Sequence, residues 1–600
     1  MPTPNGTCPD ANVRWKCDMS PIFSTLDAET RTIHVNCPGH WRVNYIDRTE
    51  EEQLVSRGSY RNPPKWHYYQ GYQQITMETE YADVVCKGKR NRNMHNYHTQ
   101  FLPKPDADKR QETLLHTVQA KEPNWNPLSV LTIVLDSLSR AHAHRECGIP
   151  KTIRLLEQLY DASSADPSLS SHQAFLFNRY NSISSATSLN LTPMFSGELY
   201  DEPDPDKITQ GIYAKDIKEW IWEYANHRGY LTSYGIDNNS GMMGTRTNCK
   251  ACHYRPPVLP HTEHGWVSRE NEEVISNVLS GFCDGNYMLH EHILNYTREF
   301  LRHPHPAKWA AMDLNAGHRK EMESVNQVDE DLAEFLKTVL SENSNLVVFM
   351  LGDHGKPYQK NPGHLGGYYE TLLPFLSVIM PTWVLEEAPS IMDNLITNQQ
   401  RYLVPADLHG SMKSLLHFPD LDAVTGTKAP KSVNIFSETI KTHRSCQDAY
   451  IPEWSCVCGL MRKLRKSEWS SSHSNIVQLA LDDINAKHSQ ARLVHIEGIH
   501  PNTPTSCLDL HLLKILHIFV NENPQEDVWS PQRYIYHITY QTVEMNTVWL
   551  VIIDNGLNIK QIKQISMYQK YDVCWDKRVP LPYCVCDMDV SIGHRNKQVR

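Results

Sequence analysis

The amino-acid sequence predicts an α/β protein whose central domain has a mostly parallel sheet with helices on both faces. One observation is that three apolar runs of strand length lack the polar alternation of a half-exposed strand: Leu128–Leu135, Leu346–Leu351 and Phe375–Met380. The other observation is that such runs alternate with helical patterns, for example Val325–Val339, where apolar residues recur every three or four positions. Alternating strands and helices favour a parallel sheet with helices on its two sides.

Three zones divide the 600 residues, which form too long a chain for one compact domain. Residues 1–122 are rich in Cys, Tyr and Trp and predict a small β-rich region tied by disulfides. Residues 123–442 carry the alternating pattern and predict the α/β domain. Residues 443–600, where cysteines return, predict a small α+β domain. We interpret Lys104–Arg110 as a linker between the first two zones.

Further elements follow from periodicity in chain order. Residues Ile153, Leu156 and Tyr160 recur at helical spacing and predict a helix over 151–160. The other predicted elements are strands at 175–180 and 230–234, a helix at 475–487, and strands within 508–520 and 534–553.

The composition is that of a globular protein, with 40% apolar and 21% charged residues. A net charge of -10 is modest for this length, and basic residues form only short runs such as Lys87–Arg92 and Arg462–Lys466. Without a basic stripe, a nucleic-acid polymer is not an expected partner.

The 15 cysteines are concentrated near the two ends of the chain. This distribution predicts disulfides in the flanking zones and an oxidising compartment, either extracellular or in the secretory lumen. Sequons at Asn5, Asn238 and Asn295 predict a glycoprotein. Two alternatives stay open: a cytosolic chain with many thiols, and a zinc site at Cys249 and Cys252, although no second ligand pair lies at finger spacing.

Membrane attachment is a separate question, because no apolar run approaches the ~20 residues of a membrane span. The N-terminus also lacks the apolar core of a signal peptide. Since the cysteines favour the secretory route, we expect a partial chain from which an N-terminal signal or membrane anchor is missing.

Acidic residues follow two of the buried strands at the end where ligands bind in open α/β sheets. Asp136 follows the first strand, and Asp353 and His354 follow a later one. Together they predict a divalent metal site, with zinc or manganese favoured by the imidazole and magnesium or calcium as alternatives. The competing interpretation is that Asp136 caps a helix and Asp353-His354 forms a turn.

These motifs, in this order, resemble the alkaline phosphatase and sulfatase superfamily: Leu-Asp136-Ser, Thr187 to Gly197, and Gly-Asp353-His354-Gly. The resemblance is greatest to the animal ectodomain family called domain of unknown function 229, through Asp136-Ser-Leu-Ser-Arg140, Thr187 to Gly197, and Gly229-Tyr-Leu-Thr232. It covers roughly residues 120 to 440. It implies an alkaline-phosphatase-like sheet and a metal-dependent enzyme.

The resemblance implies that Thr187 is the nucleophile, ten residues before the closing Gly197. A Thr hydroxyl is a weak nucleophile at neutral pH, and a divalent cation lowers its pKa. An ordinary loop Thr is the competing interpretation, and Ser184, Ser185 and Ser188 are alternatives in register.

A second metal is also implied by the resemblance. Asp313, His318 and His364 stand where two-metal members carry an Asp and two His, although four residues rather than three separate Asp313 from His318. We expect one or two ions. Asn190 and Arg140 are candidates for binding phosphate oxygens, with packing or a salt bridge as their alternative roles.

The expected function is hydrolysis or transfer of a phosphate ester, such as a lipid, glycan or nucleotide. A sulfatase is disfavoured, because sulfatases follow the nucleophile position with x-Pro-x-Arg, whereas Thr187 is followed by Ser-Leu-Asn-Leu. The rival class is a catalytically inactive extracellular binding ectodomain, since a fold does not guarantee its function.

Overall fold

A computed structural model describes residues 22–46, 54–55, 59–60, 65–87, 93–160, 170–198, 217, 219–237, 252–254, 283–284, 287–318, 322–356, 365–423, 432–452, 455–457, 460–491, 507–522, 534–554, 556–564 and 583–585. They form an N-terminal β-rich region, a central α/β domain, and a C-terminal antiparallel sheet with one helix.

The N-terminal region consists of short antiparallel strands around a small apolar core. One sheet has the order β1-β2-β7 and another the order β6-β3-β8-β9. Trp41, Val43 and Val84 are buried between them, and the Cys37–Cys86 disulfide lies in the same core. The predicted β-rich, disulfide-tied character is confirmed. The strands are β1 Ser24–Asp27, β2 Thr32–Val35, β3 His40–Ile46, β4 Leu54–Val55, β5 Ser59–Tyr60, β6 Trp66–Gln70, β7 Gln73–Thr76, β8 Tyr81–Lys87 and β9 Asn93–Thr99.

The predicted linker at Lys104–Arg110 is wrong, because most of it lies in helix α1, Pro105–Lys121. Its sequence favours a helix start: a proline stands in the first turn, where its missing N–H costs nothing, and Asp106 and Asp108 complement the helix dipole. Leu115 of this helix is buried in the core of the central domain. The segment therefore packs against the domain rather than spacing it.

A six-stranded sheet of order β11-β17-β16-β10-β15-β12 forms the centre of the molecule. The pairs β12–β15, β15–β10 and β10–β16 are parallel, whereas β17 runs antiparallel to both of its neighbours. This confirms a mostly parallel sheet. Its strands, with the small hairpin β13–β14, are β10 Ser129–Leu135, β11 His172–Leu176, β12 Leu231–Ile236, β13 Cys283–Asp284, β14 Tyr287–Met288, β15 Lys308–Leu314, β16 Leu346–Leu351 and β17 Leu376–Pro381.

Helices cover both faces of this sheet, as predicted. On one face, Ile153, Ile293 and Leu332 from three helices pack in one apolar cluster. On the other face, Met194 and Met412 belong to a second cluster. The helices are α2 Arg140–Ala143, α3 Pro150–Tyr160, α4 Thr187–Ser196, α5 Ile221–His227, α6 Leu289–Leu301, α7 Asn326–Glu342, α8 Leu365–Leu372, α9 Thr382–Glu387, α10 Pro389–Asn398 and α11 Pro405–Leu415.

The C-terminal region is an antiparallel sheet of order β18-β19-β20-β21-β22, with helix α12, Ser471–Ala491, packed on one face. The Cys507–Cys584 disulfide belongs to that apolar core. The predicted α+β character is confirmed. The strands are β18 Leu460–Lys463, β19 Leu512–Glu522, β20 Tyr534–Thr542, β21 Val548–Asp554 and β22 Ile559–Gln564.

Disulfides occur in all three regions, which indicates an oxidising, non-cytoplasmic location. Besides those in the two flanking sheets, Cys446 is bonded to Cys456. Cys147 and Cys252 are also disulfide-bonded, so the thiolate of Cys252 is not available to zinc. Across the described parts of the chain, none of the helices combines the length and the apolar character that crossing a bilayer requires.

A cluster of buried histidines joins the N-terminal sheet to helix α6. His98 Nε2 lies 2.8 Å from Ser24 Oγ, and His292 Nδ1 lies 3.2 Å from Thr99 Oγ1. Burial lowers the pKa of His98 to about 4, against a smaller opposite effect of Asp83. Burial also lowers the pKa of His292 to about 4, helped by the charges of His98 and His290. The interface therefore favours neutral imidazoles.

We expect this interface to make the protein acid-sensitive. The folded-state pKa values of His98 and His292 lie below the unfolded value. Their contribution to the free energy of unfolding is therefore fully present above pH 6.5 and is lost as the pH falls toward 4. The loss is about 3 kcal/mol for each histidine. Urea unfolding from pH 7 to pH 4 checks this. The double variant His98→Gln/His292→Gln should flatten the dependence, whereas His116→Gln on the exposed side of α1 should not.

Candidate active site

Carboxylates gather at the carboxyl-terminal edge of the parallel strands. Val134 of β10 pairs with Leu351 of β16, so Asp136 and Asp353, each two residues further along, reach the same level. Asp313 near the end of β15 pairs with Val134 on one side and with the last residue of β12 on the other. The sheet register therefore brings the predicted acidic residues to one edge, where open α/β sheets bind ligands.

The structure brings together Asp136, Asp353 and His354, which are all buried and offer ligand atoms within 4.8 Å of one another. Oδ2 of Asp136 and Oδ2 of Asp353 have no hydrogen-bond partner among the described residues. Unpaired carboxylate oxygens are costly to bury, so they are expected to have a partner. Two carboxylates and an imidazole are a suitable donor set for a divalent cation.

The orientation of the His354 ring agrees with a ligand role. Its Nδ1–H donates to the backbone oxygen of Gly355 at 2.8 Å, so the lone pair is on Nε2. Nε2 lies 3.3 Å from Oδ2 of Asp353. The ring therefore presents its unprotonated nitrogen to the carboxylates.

Ser137 fixes both carboxylates from a strained backbone position. Its N–H donates to Oδ1 of Asp353 at 2.9 Å, and its hydroxyl donates to Oδ1 of Asp136 at 2.7 Å. Its φ of 63° lies in the left-handed region, which non-glycine residues adopt mainly where the surroundings enforce it. The strain thus accompanies the positioning of Asp136 and Asp353.

The electrostatics of the cluster also favour a bound cation. Burial, and then the nearby charge of Asp353, raises the pKa of Asp136 well above its ordinary value. Burial raises the pKa of Asp313 in the same direction, and Asp136, Asp353 and Asp237 add to the effect. A cation would offset both the burial and the repulsion, which brings these carboxyls back to their ionised form.

Thr187 is the first residue of helix α4, and its Oγ1 lies 3.2 Å from Nε2 of His354. The hydroxyl therefore borders the cluster of Asp136, Asp353 and His354, at the positive end of a helix dipole. Gly197 ends the same helix at φ 70°, and a Cβ there would lie 2.6 Å from Cδ2 of the buried His409. The turn residue thus has both a conformational and a packing reason to be glycine.

Asn190 and Arg140 have structural contacts. The Asn190 side chain accepts from the N–H of Ile183 at 2.8 Å and donates to the backbone oxygens of Ser184 and Ala186. It therefore holds the loop that leads to Thr187. Arg140 Nη1 donates to Oδ1 of Asn178 at 3.3 Å. Phosphate binding by Asn190 and Arg140 stays a prediction.

The predicted second metal site is described only in part. Both oxygens of Asp313 are buried and lack hydrogen-bond partners among the described residues. His318 closes the short 3-10 helix Asn315–His318, but the structure describes only its backbone. His364 lies outside the described residues. The role of these three residues stays a prediction.

Two neighbours of the cluster were not among the predicted site residues. Asp237 follows β12 directly, and its Oδ1 accepts from the backbone N–H and the side-chain amide of Asn315 at 2.9 and 3.0 Å. Its charge acts on Asp136 and Asp313. The rule that identifies Asp136 does not identify Asp237, because the strand before it, Leu-Thr-Ser-Tyr-Gly-Ile, is not a continuous apolar run. The positive charge of Lys356 partly offsets the rise in the pKa of Asp136. No sequence signal beyond its nearness to His354 distinguishes Lys356.

Substitution of Gly355 tests how tightly the ligand loop is held. A Cβ at Gly355 would lie 1.8 Å from the backbone oxygen of Glu370 and 2.9 Å from Cβ of Ser139. We expect Gly355→Ala to destabilise the fold by about 3 kcal/mol and to weaken metal binding, because the loop or helix α8 has to move. Urea unfolding and metal titration check this. Gly39→Ala is the control, since its Cβ would meet only a backbone oxygen at 4.0 Å.

Comparison with known families gives one match that spans most of the chain. The model of the family described as "Protein of unknown function (DUF229)" matches residues 22–515. The match includes the N-terminal strands, all of the central domain, and the C-terminal region as far as the start of β19. No curated protein matches the chain.

Several solved structures are similar to the chain at low sequence identity. The C-terminal periplasmic domain of EcEptC from Escherichia coli is 12% identical, over 53% of this chain and 88% of that chain, with a TM-score of 0.37. A protein in the alkaline phosphatase superfamily from Vibrio parahaemolyticus is 9% identical, over 83% and 97%, with a TM-score of 0.33. The lipoteichoic acid synthase LtaP from Listeria monocytogenes is 11% identical, over 54% and 80%, with a TM-score of 0.33.

Proposed function

The chain belongs to the DUF229 family, whose description assigns no activity, and from the site we propose a metal-dependent phosphohydrolase or phosphotransferase that acts on a phosphate ester. The observation that carries the proposal is the 3.2 Å distance from the Thr187 hydroxyl to Nε2 of His354, beside the buried Asp136 and Asp353. A hydroxyl nucleophile next to a ligand set for a divalent cation suits phosphoryl transfer.

Asp136, Asp353 and His354 would hold the cation. The imidazole favours zinc or manganese over magnesium and calcium, which prefer oxygen ligands alone. When bound, the cation would lower the pKa of the Thr187 hydroxyl and offset the charge of the phosphate oxygens. Asp313, with His318 and His364, would contribute to a second ion.

Thr187 acts as the nucleophile in this mechanism. Its Oγ1 forms a bond to phosphorus as the bond from phosphorus to the leaving oxygen breaks. The hydroxyl proton is released and the leaving alcohol takes one up. Water, or an acceptor alcohol, then displaces Thr187 from the phosphothreonine, so that hydrolysis and transfer differ only in the second nucleophile.

The surroundings of Thr187 supply the remaining functions. The first turn of α4 leaves backbone N–H groups for the phosphate oxygens, in line with the helix dipole. Asn190 keeps the loop before Thr187 in place through three backbone residues. Arg140, with its Nε buried and lacking a hydrogen-bond partner among the described residues, is the proposed cationic contact to the substrate.

The proposed substrate is an extracellular or lumenal phosphate ester of a lipid, a glycan or a nucleotide, because the disulfides indicate a non-cytoplasmic location. Sulfate-ester chemistry is the less favoured alternative, since Thr187 lacks the following Pro and Arg of sulfatases. An inactive binding ectodomain is also less favoured, because such a protein would not need a hydroxyl beside buried, unpaired carboxylate oxygens.

Metal content and ester turnover test the proposal together. The purified protein is loaded with zinc or manganese, and hydrolysis of an aryl phosphodiester, an aryl phosphomonoester and an aryl sulfate is measured with and without EDTA. We expect turnover of a phosphate ester that EDTA abolishes and metal restores. Turnover of the sulfate alone would establish the alternative chemistry. A protein that binds neither metal would contradict the proposal.

A further inference from the structure

A short disulfide-closed segment lies against the site although it follows the catalytic domain in sequence. Residues 446–452 and 455–456, here called the disulfide segment, contain the Cys446–Cys456 bond, and the Cα atoms of the two cysteines are 5.8 Å apart. Both cysteines, Ala449 and Ile451 pack in one apolar cluster with residues of the central domain, which are Ile183, Tyr402, Val404 and Ala406. Ile183 lies four residues before Thr187.

One end of the contact reaches the loop that leads to Thr187, residues 177–186, here called the Thr187 loop. Asn181, which is fully buried, donates through its Nδ2 to the backbone oxygen of Ser455 at 3.1 Å. Its Oδ1 accepts from the hydroxyl of Tyr402 at 2.6 Å, and the same hydroxyl oxygen accepts from the N–H of Val457 at 3.3 Å. Polar contacts and the packing of Ile183 thus fix the start of the Thr187 loop to the disulfide segment.

The neighbouring peptide reaches the other half of the site. The hydroxyl of Tyr368 in helix α8 donates to the backbone oxygen of Cys456 at 3.2 Å. In the same helix, the oxygen of Thr371 accepts from the N–H of Gly355 at 2.8 Å, and the Thr371 hydroxyl donates to the oxygen of Lys356 at 3.2 Å. Helix α8 therefore connects the disulfide segment to the loop of Asp353 and His354.

Two consecutive carbonyl groups thus face the two halves of the site. The carbonyl oxygen of Ser455 accepts from Asn181 in the Thr187 loop. The carbonyl oxygen of Cys456 accepts from Tyr368 of helix α8, which contacts the Asp353–His354 loop.

Strand β10 ends one residue before Asp136 and β16 two residues before Asp353, whereas Thr187 begins helix α4 and His354 lies in a loop. The Thr187 loop also contacts helix α8 directly, since the N–H of Ser182 donates to the backbone oxygen of Leu372 at 3.0 Å. The disulfide segment adds a second connection between the two halves of the site.

We propose that the disulfide segment is a positioning device, which holds the Thr187 loop and the Asp353–His354 loop at their working separation. The proposed consequence for catalysis rests on the proposed function, whereas the coupling of the two loops does not. Near-attack geometry is sensitive to displacements of about 1 Å, so loosening this separation would lower kcat.

The test compares two double variants that each lack one disulfide. Cys446→Ser/Cys456→Ser opens the disulfide segment, and Cys507→Ser/Cys584→Ser opens the bond in the core of the C-terminal sheet. Hydrogen exchange followed by mass spectrometry is measured on the 600-residue protein, with kcat and manganese affinity as further readouts. We expect about tenfold faster exchange in residues 181–191 and 352–372 only in the first variant. We also expect its kcat to fall roughly 10- to 100-fold.

The affinity for manganese should fall less than kcat in the first variant, because Asp136 and Asp353 follow strands of the central sheet and His354 alone of the three lies further into the loosened loop. It should stay near that of the wild type in the second variant. Tyr368→Phe gives a second test if the first variant does not fold, since it keeps the ring, removes the hydroxyl that contacts Cys456, and should speed exchange in 352–372.

Equal exchange in both site loops for the two disulfide variants would overturn the proposal. If the wild type shows neither metal binding nor turnover, the proposed function fails. The exchange data would still decide whether the segment couples the loops.

Discussion

Thr187→Ala is expected to abolish phosphate-ester turnover while leaving the fold and metal binding in place. The hydroxyl begins helix α4 beside Nε2 of His354, and alanine is compatible with a helix start in the same backbone. Removing the nucleophile from an otherwise intact site should lower kcat by on the order of 10³-fold or more. Steady-state kinetics with saturating manganese, alongside metal titration of each variant, measure both quantities.

Two substitutions nearby give the comparison its sharpness. Thr187→Ser keeps a hydroxyl and should retain turnover within about tenfold of the wild type, whereas a purely structural Thr would show no difference between Ser and Ala. Ser188→Ala tests the alternative register of the nucleophile, because Ser188 is the next residue of the same helix. Loss of turnover in Ser188→Ala, with activity intact in Thr187→Ala, would assign the nucleophile role to Ser188 instead of Thr187.

The sheet and the metal-ligand edge could be predicted because they depend on local pattern. An uninterrupted apolar run forces burial on both faces, and a carboxylate after it has no packing role. That reasoning places Asp136 and Asp353 at one edge, where the register of β10 and β16 sets them level. It does not reach Asp237, because β12 contains Thr232, Ser233 and Gly235 and is not an uninterrupted apolar run.

Other features depend on contacts between residues far apart in sequence, and no local pattern reports them. Asn190 is an exception in range, since it binds backbone groups four to seven positions away, but the irregular loop that it supports has no periodic pattern that would report these contacts. The hydrogen bond from Tyr368 to the oxygen of Cys456 joins residues 88 positions apart. The linker prediction failed for a different reason: a proline-initiated, acidic first turn was interpreted as polar spacing, although both features favour helix α1.

Asp136→Asn is expected to leave the metal-free protein at least as stable as the wild type, and to make the metal-bound protein less stable than the wild type. Asparagine can still accept the Ser137 hydroxyl at the Oδ1 position, so the local hydrogen bond survives. Burial and the charge of Asp353 raise the pKa of Asp136, and a carboxyl with a raised folded-state pKa destabilises the fold at neutral pH. In EDTA the free energy of unfolding of the variant should therefore equal that of the wild type or exceed it by up to about 1 kcal/mol.

With manganese the order should invert, because the variant loses a charged ligand and about 100-fold or more in metal affinity. A wild-type protein at 1000-fold excess of metal over its Kd gains about 4 kcal/mol from binding, and the variant gains far less. Urea unfolding in EDTA and in manganese measures both states. Asp329→Asn is the matched control: both Asp329 oxygens accept backbone N–H groups, from Lys151 and Thr152, so its destabilisation should be the same with and without metal. A variant of Asp136 that is less stable than the wild type by the same amount in both conditions would mean that Asp136 stabilises the fold and holds no cation.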